Sequence, residues 1–216
     1  MTNPNDSIGT NAAYGGRTSV VAFNDIMAAF TPGILSGWNC SPDSGLTVML
    51  GGSNYIRDVA IAKDNAGNKT SINNIDQGSE VYVTLEPAPA SNSRIDVIVA
   101  YVDNPPQGTT TDSDNPGTCG IIPVTGTPAE TPVAPNESAI RTAISADGAS
   151  GSTAFYVVLA KITVPTGTTD LIQGYIEQGD KATLNTPSLS PIITMTNTDP
   201  GEGVDLEANH YIAVYS

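Results

Sequence analysis

Arg94-Ile95-Asp96-Val97-Ile98-Val99-Ala100-Tyr101-Val102-Asp103 is the stretch that decides the fold. Successive side chains of a strand point to opposite faces. Ile95, Val97, Val99 and Tyr101 therefore share one face, and Ile98 and Ala100 the other. Apolar side chains on both faces predict a central strand covered on both sides.

Working outward, further strands follow at roughly ten-residue spacing, as in a sandwich or barrel. Leu46–Leu50 alternates and ends at Gly51-Gly52. Tyr55–Ala62 follows, with Ile56, Val59 and Ile61 as core candidates, and Asp64–Asn68 is a turn between two extended runs. Glu80–Leu85 sets Val81, Val83 and Leu85 on one face and stops at Glu86-Pro87-Ala88-Pro89. Ile121, Ile122 and Val124 make a short strand, and residues 128–136 read as an extended, proline-spaced crossover. Thr153–Val164 is the longest apolar run, and Asp170–Ile176 reads as another strand or as a strand bulged at Gly174. Two segments have helical spacing instead. Phe23, Met27 and Phe30 form one, stopped by Thr31-Pro32-Gly33, and Ile140, Ala143 and Ile144 within Glu137–Ser145 form the other. Ile34–Ser44 reads as a loop carrying the single tryptophan, Trp38.

The expected fold is mainly β: an antiparallel, jelly-roll-like β-sandwich with one or two short helices and extended terminal segments. Residues 1–44 are expected to form an arm and short helix, 45–179 the sandwich core, and 180–216 a C-terminal extension. That extension ends in a β-prone docking strand containing Tyr211, Ile212, Val214 and Tyr215. Such a low-charge strand must pair with something to stay soluble.

Composition narrows the function. The 216 residues carry 22 Asp and Glu against 8 Lys and Arg, a net charge of -14. Nucleic acid is a poor partner for such a surface, because phosphate binding needs clustered cations. An anionic membrane is disfavoured for the same reason. No apolar window is long enough to span a bilayer, and Met1–Gly16 lacks the pattern of a secretory signal. Synthesis in the cytoplasm is therefore expected. Cys40 and Cys119 have no metal-ligand spacing and are expected to be buried and reduced, pairing only in an oxidising environment.

Catalytic patterns are missing. The single histidine, His210, lies near the C-terminal end, and no serine sits in a Gly-x-Ser-x-Gly elbow. Glycine pairs such as Gly51-Gly52 lack the rest of a phosphate-binding loop. Paired carboxylates carry little information in so acidic a chain. Asp112–Gly117 superficially matches a calcium loop, but Pro116 and Pro123 replace ligand positions, so a solvated loop is expected there. The same holds for Asp199–Glu207. No catalytic residue, cofactor or metal is expected. Tyr82, Tyr101 and Tyr156 read as core, which leaves Trp38 and Tyr55 as the aromatics to test for ligand or partner contact.

An ordered set of motifs then resembles a known family. Arg94-Ile95-Asp96 opens an apolar strand, and Val124-Thr125-Gly126-Thr127-Pro128-Ala129 follows. Next come Phe155–Pro165 with Leu159-Ala160 inside, then Gly167–Ile172, and a closing Thr198–Gly203 to Tyr215. The succession resembles tailed-bacteriophage virion proteins of the baseplate, tail-fibre or appendage type. The resemblance implies a sandwich or jelly-roll module, self-association (often as trimers), contacts with other virion proteins, and a virion location. It supplies no catalytic residues. Arg94 and Asp96 are expected to be strand-end anchors that bind nearby loop carbonyls and amides. Capsid decoration or a head fibre is an alternative place on the particle. A module binding a host surface glycan through Trp38 and Tyr55 is an alternative from another class.

Overall fold

The structure, a computed structural model, describes residues 29–74, 78–103 and 118–184. The fold is mainly β, with antiparallel sheets and a single described helix, as read from the sequence. The described residues form ten strands: β1 (Gly33–Ser36), β2 (Cys40–Pro42), β3 (Thr47–Gly51), β4 (Val59–Lys63), β5 (Lys69–Asn73), β6 (Glu80–Thr84), β7 (Arg94–Asp103), β8 (Thr118–Val124), β9 (Phe155–Val164) and β10 (Ile176–Gln178). The helix α1 (Glu137–Ala146) lies between β8 and β9.

The larger sheet runs β1-β4-β9-β7-β8, with β5 paired to β4 and β10 to β9. The smaller runs β2-β3-β6. Their facing sides share one core, in which Val48, Leu50 and Val83 of the small sheet pack with Ala60, Ile98, Ala100, Leu159 and Ile162 of the large one. On the far side of the large sheet, Val97, Val99, Tyr101 and Tyr156 pack against Ile140 and Ile144 of α1. The large sheet is thus a middle layer, and β7 is covered on both faces because the small sheet lies on one and the helix on the other.

Local chemistry explains the helix. Asn136 caps it, accepting from the Ala139 amide at 3.0 Å, which satisfies one otherwise orphaned N–H. Arg141 forks onto Glu137 at 2.8 Å and lies 5.0 Å over the Tyr156 ring. It thereby fastens α1 to β9.

In β9 the apolar run exceeds what simple alternation permits. Ile98 pairs with Ala160 but Val99 pairs with Val158, so Leu159 is the extra residue of a bulge. Phe155, Val157 and Leu159 before the bulge, and Ala160, Ile162 and Val164 after it, therefore all face the shared core. Gly179 seats against the bulge, donating its amide to the Leu159 carbonyl at 2.8 Å. A Cβ there would come within 2.2 Å of the Val158 carbonyl.

Several sequence expectations need correcting. Ile34–Ser44 is not all loop but contains β1 and β2, with Ile34, Trp38 and Cys40 buried. These strands are too short and too rich in Gly and Ser to show a period. Asp170–Ile176 is not a strand; a 3-10 turn (Gln173–Tyr175) precedes β10, and Ile172 is exposed. Ile56 is exposed rather than core. Tyr82 is exposed as well, because Val83 and Leu85 take the inward positions of β6 and alternation turns Tyr82 outward. Cys119 is exposed while Cys40 is buried, and both are free thiols. The helix expected before Phe30, the Asp112–Gly117 and Asp199–Glu207 loops and the strand with Tyr211, Ile212, Val214 and Tyr215 lie outside the described residues.

Candidate functional site

Arg94 and Asp96 occupy neighbouring positions on one face of β7, and both are buried. Arg94 Nε donates to Asp96 Oδ1 at 2.9 Å, and Nη2 donates to Oδ2 at 3.1 Å. The remaining guanidinium donors reach the carbonyls of Pro87 at 2.7 Å and Glu86 at 2.6 Å. Asp96 also accepts the Gly126 amide at 2.9 Å. A Cβ on Gly126 would come within 2.0 Å of the Ile95 carbonyl, so only glycine lets this loop approach. The pair thus joins the Glu86-Pro87 segment, β7 and the loop after β8. The bonds it makes all go to the fold.

Trp38 and Tyr55 are not brought together as a stacking surface. Trp38 is 2 % exposed, within the shared core, whereas Tyr55 is 95 % exposed. The tryptophan sits at φ 50, a left-handed conformation rare outside glycine. Its amide donates to Asp58 Oδ1 at 2.6 Å, which helps hold that conformation. With its indole in the core, Trp38 presents no open face to a sugar ring.

Asp58 itself was not singled out from the sequence. It is 3 % exposed, yet it lies between exposed Arg57 and half-buried Val59 in a run without clear periodicity. Its carboxylate takes the Trp38 amide on one oxygen and Asn74 Nδ2, at 3.2 Å, on the other. The Asp58 carbonyl accepts the Asn74 amide at 3.0 Å. A Cβ on Gly37 would lie 2.2 Å from Oδ1, so the β1–β2 turn fits closely over the carboxylate.

Asp58 therefore braces three connections at one end of the sandwich: β1–β2, β3–β4 and β5–β6. The β3–β4 loop is stiffened further, because Ser53 Oγ accepts the amides of Tyr55 at 3.3 Å and Ile56 at 3.1 Å. Ser36 Oγ donates to the Arg57 carbonyl at 2.7 Å. The result is a hydrogen-bonded tip presenting Tyr55, Ile56 and Arg57 to solvent.

At the other end of β1 the two ends of the described fold meet. The Thr31 amide donates to the Thr183 carbonyl at 2.7 Å, and the Ile34 amide to the Asp180 carbonyl at 2.7 Å. The Ala182 amide returns a bond to the Ile34 carbonyl at 2.9 Å, and Phe30 bridges Leu184. The described fold thus begins and ends at one corner.

Other polar groups also serve the fold. The Tyr101 hydroxyl donates to Asp147 at 2.6 Å, and burial together with that bond pushes its phenol well above the ordinary range. Gln178 engages both backbone groups of Cys40, accepting its amide at 3.0 Å and donating to its carbonyl at 2.8 Å. Its side chain continues the small sheet where β2 has no further strand. Burial pushes the Cys40 thiol up to about 12. A shallow groove of about 520 Å³ runs between α1 and the end of β8, lined by Pro123, Val124, Ala139, Thr142 and Ala143 among others. Among the described residues, no three His, Cys, Asp or Glu side chains converge as a metal site requires, and no helix is long and apolar enough to cross a membrane.

Comparison with protein-family models, with curated proteins and with solved structures finds no match to this chain.

Proposed function

We propose that this chain is a non-enzymatic structural protein of a tailed-phage virion, a baseplate or tail-fibre component that mediates assembly and contributes to host attachment. It works as a homo-oligomer, with a trimer preferred, and contacts other virion proteins. One observation carries the reading beyond the motif resemblance. Thr31–Ile34 pairs with Asp180–Leu184, so the first and last described residues lie together at one corner of the sandwich. Bringing the two ends of the described fold to one corner suits a module held at one place by the rest of an assembly. The buried polar groups fit this role, since Arg94, Asp96 and Asp58 fasten loops together.

Immunogold electron microscopy of purified virions, with antibody raised against the full chain, tests the proposal. Gold at the tail end supports it. Gold over the capsid transfers the protein to head decoration or a head fibre, and unlabelled particles overturn the virion assignment.

A further inference from the structure

The turn that leads from β6 into β7 holds one asparagine apart from the others. Asn92 sits at φ 57, in the left-handed region that asparagine tolerates better than most residues with a side chain. It is exposed, as are Ala90 and Ser91 before it. Among the described residues its side-chain amide makes no hydrogen bond. Several other asparagines are held in place. Asn68 Nδ2 donates to Asp64 at 2.7 Å, Asn74 Nδ2 donates to Asp58 at 3.2 Å and to the Ser79 carbonyl at 3.0 Å, and Asn136 Oδ1 caps α1. Asn73 lies within β5, opposite Val59.

The residue after an asparagine decides how readily its carboxamide reacts. The main-chain nitrogen of that residue is the nucleophile, and a large or β-branched side chain on it blocks the approach. No asparagine of this chain precedes glycine, and Asn92 alone precedes serine, whose side chain is small and whose hydroxyl can polarise the reacting amide. Asn65, before Ala66, is its nearest competitor and lacks that hydroxyl. The Ser93 carbonyl, not its amide, makes the bond of the isolated Ser93–Ala129 bridge, accepting the Ala129 amide at 3.0 Å.

We infer that Asn92 is a site of spontaneous deamidation, with water as the only co-reactant. The Ser93 nitrogen bonds to Asn92 Cγ, the Cγ–Nδ2 bond breaks, and ammonia leaves. Water then opens the resulting succinimide. Attack at Cγ gives aspartate, and attack at the main-chain carbonyl gives isoaspartate; nothing is oxidised or reduced. Either product adds a negative charge near the start of β7, and isoaspartate also lengthens the main chain by a carbon just before the Ser93–Ala129 bridge. The inference stands apart from the virion reading.

Warm incubation of the full native chain in mildly alkaline buffer, followed by tryptic peptide mapping with fragmentation, tests it. The peptide of residues 70–94 carries Asn73 and Asn74 as well as Asn92, so these sites are compared within one molecule. An enzymatic isoaspartyl label separates the two products. Asn92 is expected to convert several-fold faster than Asn65, Asn73 or Asn74, with isoaspartate in excess. Ser93→Val should slow it several-fold, and Asn92→Gly, which suits the φ of 57, should remove the label at this turn. A parallel sample in urea reports the rate with the turn released. Conversion of Asn92 only in urea, or no faster than Asn65, Asn73 or Asn74 in the native chain, overturns the inference. A Ser93→Val chain that converts at the wild-type rate overturns it as well.

Discussion

Replacing Asp96 by alanine isolates what the buried pair does. Asp96 is fully buried and accepts from Arg94 Nε and Nη2 and from the Gly126 amide. In Asp96→Ala, Arg94 keeps the Pro87 and Glu86 carbonyls, but its Nε and its charge are stranded at 4 % exposure. Stranding one partner of a buried pair costs about 3–5 kcal/mol. For a chain of this size that lowers Tm by roughly 6–20 °C. Removing the charge as well, in Arg94→Met/Asp96→Ala, is expected to recover about 1–2 kcal/mol of the loss, because contacting residues couple by that order. The carbonyls it frees belong to exposed Glu86 and Pro87, where water can replace the guanidinium. Urea unfolding monitored by circular dichroism measures both. An Asp96→Ala midpoint within about 1 kcal/mol of wild type, or a double variant weaker than the single by the full cost of a second deletion, would refute this reasoning.

Other expectations follow from the same geometry. Glu177→Gln removes the Lys161 ion pair, whose side chains are 35 % and 68 % exposed, and should cost less than about 1 kcal/mol in the same assay. Trp38→Ala empties a core position and should cost about 3–5 kcal/mol, so any loss of glycan binding in it would report unfolding; Tyr55→Ala is the informative variant on a glycan array. For Tyr101, the folded-state phenol titrates above the unfolded one, so its contribution is complete below about pH 10 and is lost as pH rises beyond that. Tyr101→Phe should therefore flatten the fall in stability above about pH 10. A chromogenic disulfide should label Cys119 in the native protein, slowed because desolvation pushes its thiol up, and Cys40 only after denaturation, since the first is exposed and the second buried with its thiol at about 12.

What was legible in the sequence was whatever repeats with a short period. β7, β6 and the inward face of α1 follow from alternation or helical spacing, because burial on one or two faces writes itself into consecutive residues. β1, β2 and β10 are three or four residues long, too short for a period, and their burial comes from distant partners such as Gln178 on Cys40. The bulge at Leu159 hid behind an unbroken apolar run, which gives no sign of where its facing flips. Tyr82 reads as core by its aromatic character, yet the alternation that turns Val83 and Leu85 inward turns it outward. Arg94 and Asp96 stood out as charges opening an apolar strand. Asp58 did not, since its partners Trp38 and Asn74 are 20 and 16 residues away and only the folded loops bring them together.

The zipped corner has a mechanical consequence. Tension applied through Phe30 and Leu184 loads their antiparallel bridge first, with the parallel Ile34–Lys181 bridge behind it. The Thr31–Thr183 bond is loaded first, and those at Ile34 only after it opens. Such peeling breaks bonds one at a time, at lower force than sliding two long strands past each other would need. The β7–β9 pairing, nine residue pairs deep in the sheet, stays unloaded until the corner is open. Under load the corner acts as a fuse: a pulled module should lengthen by a few residues at each end before its core begins to unfold.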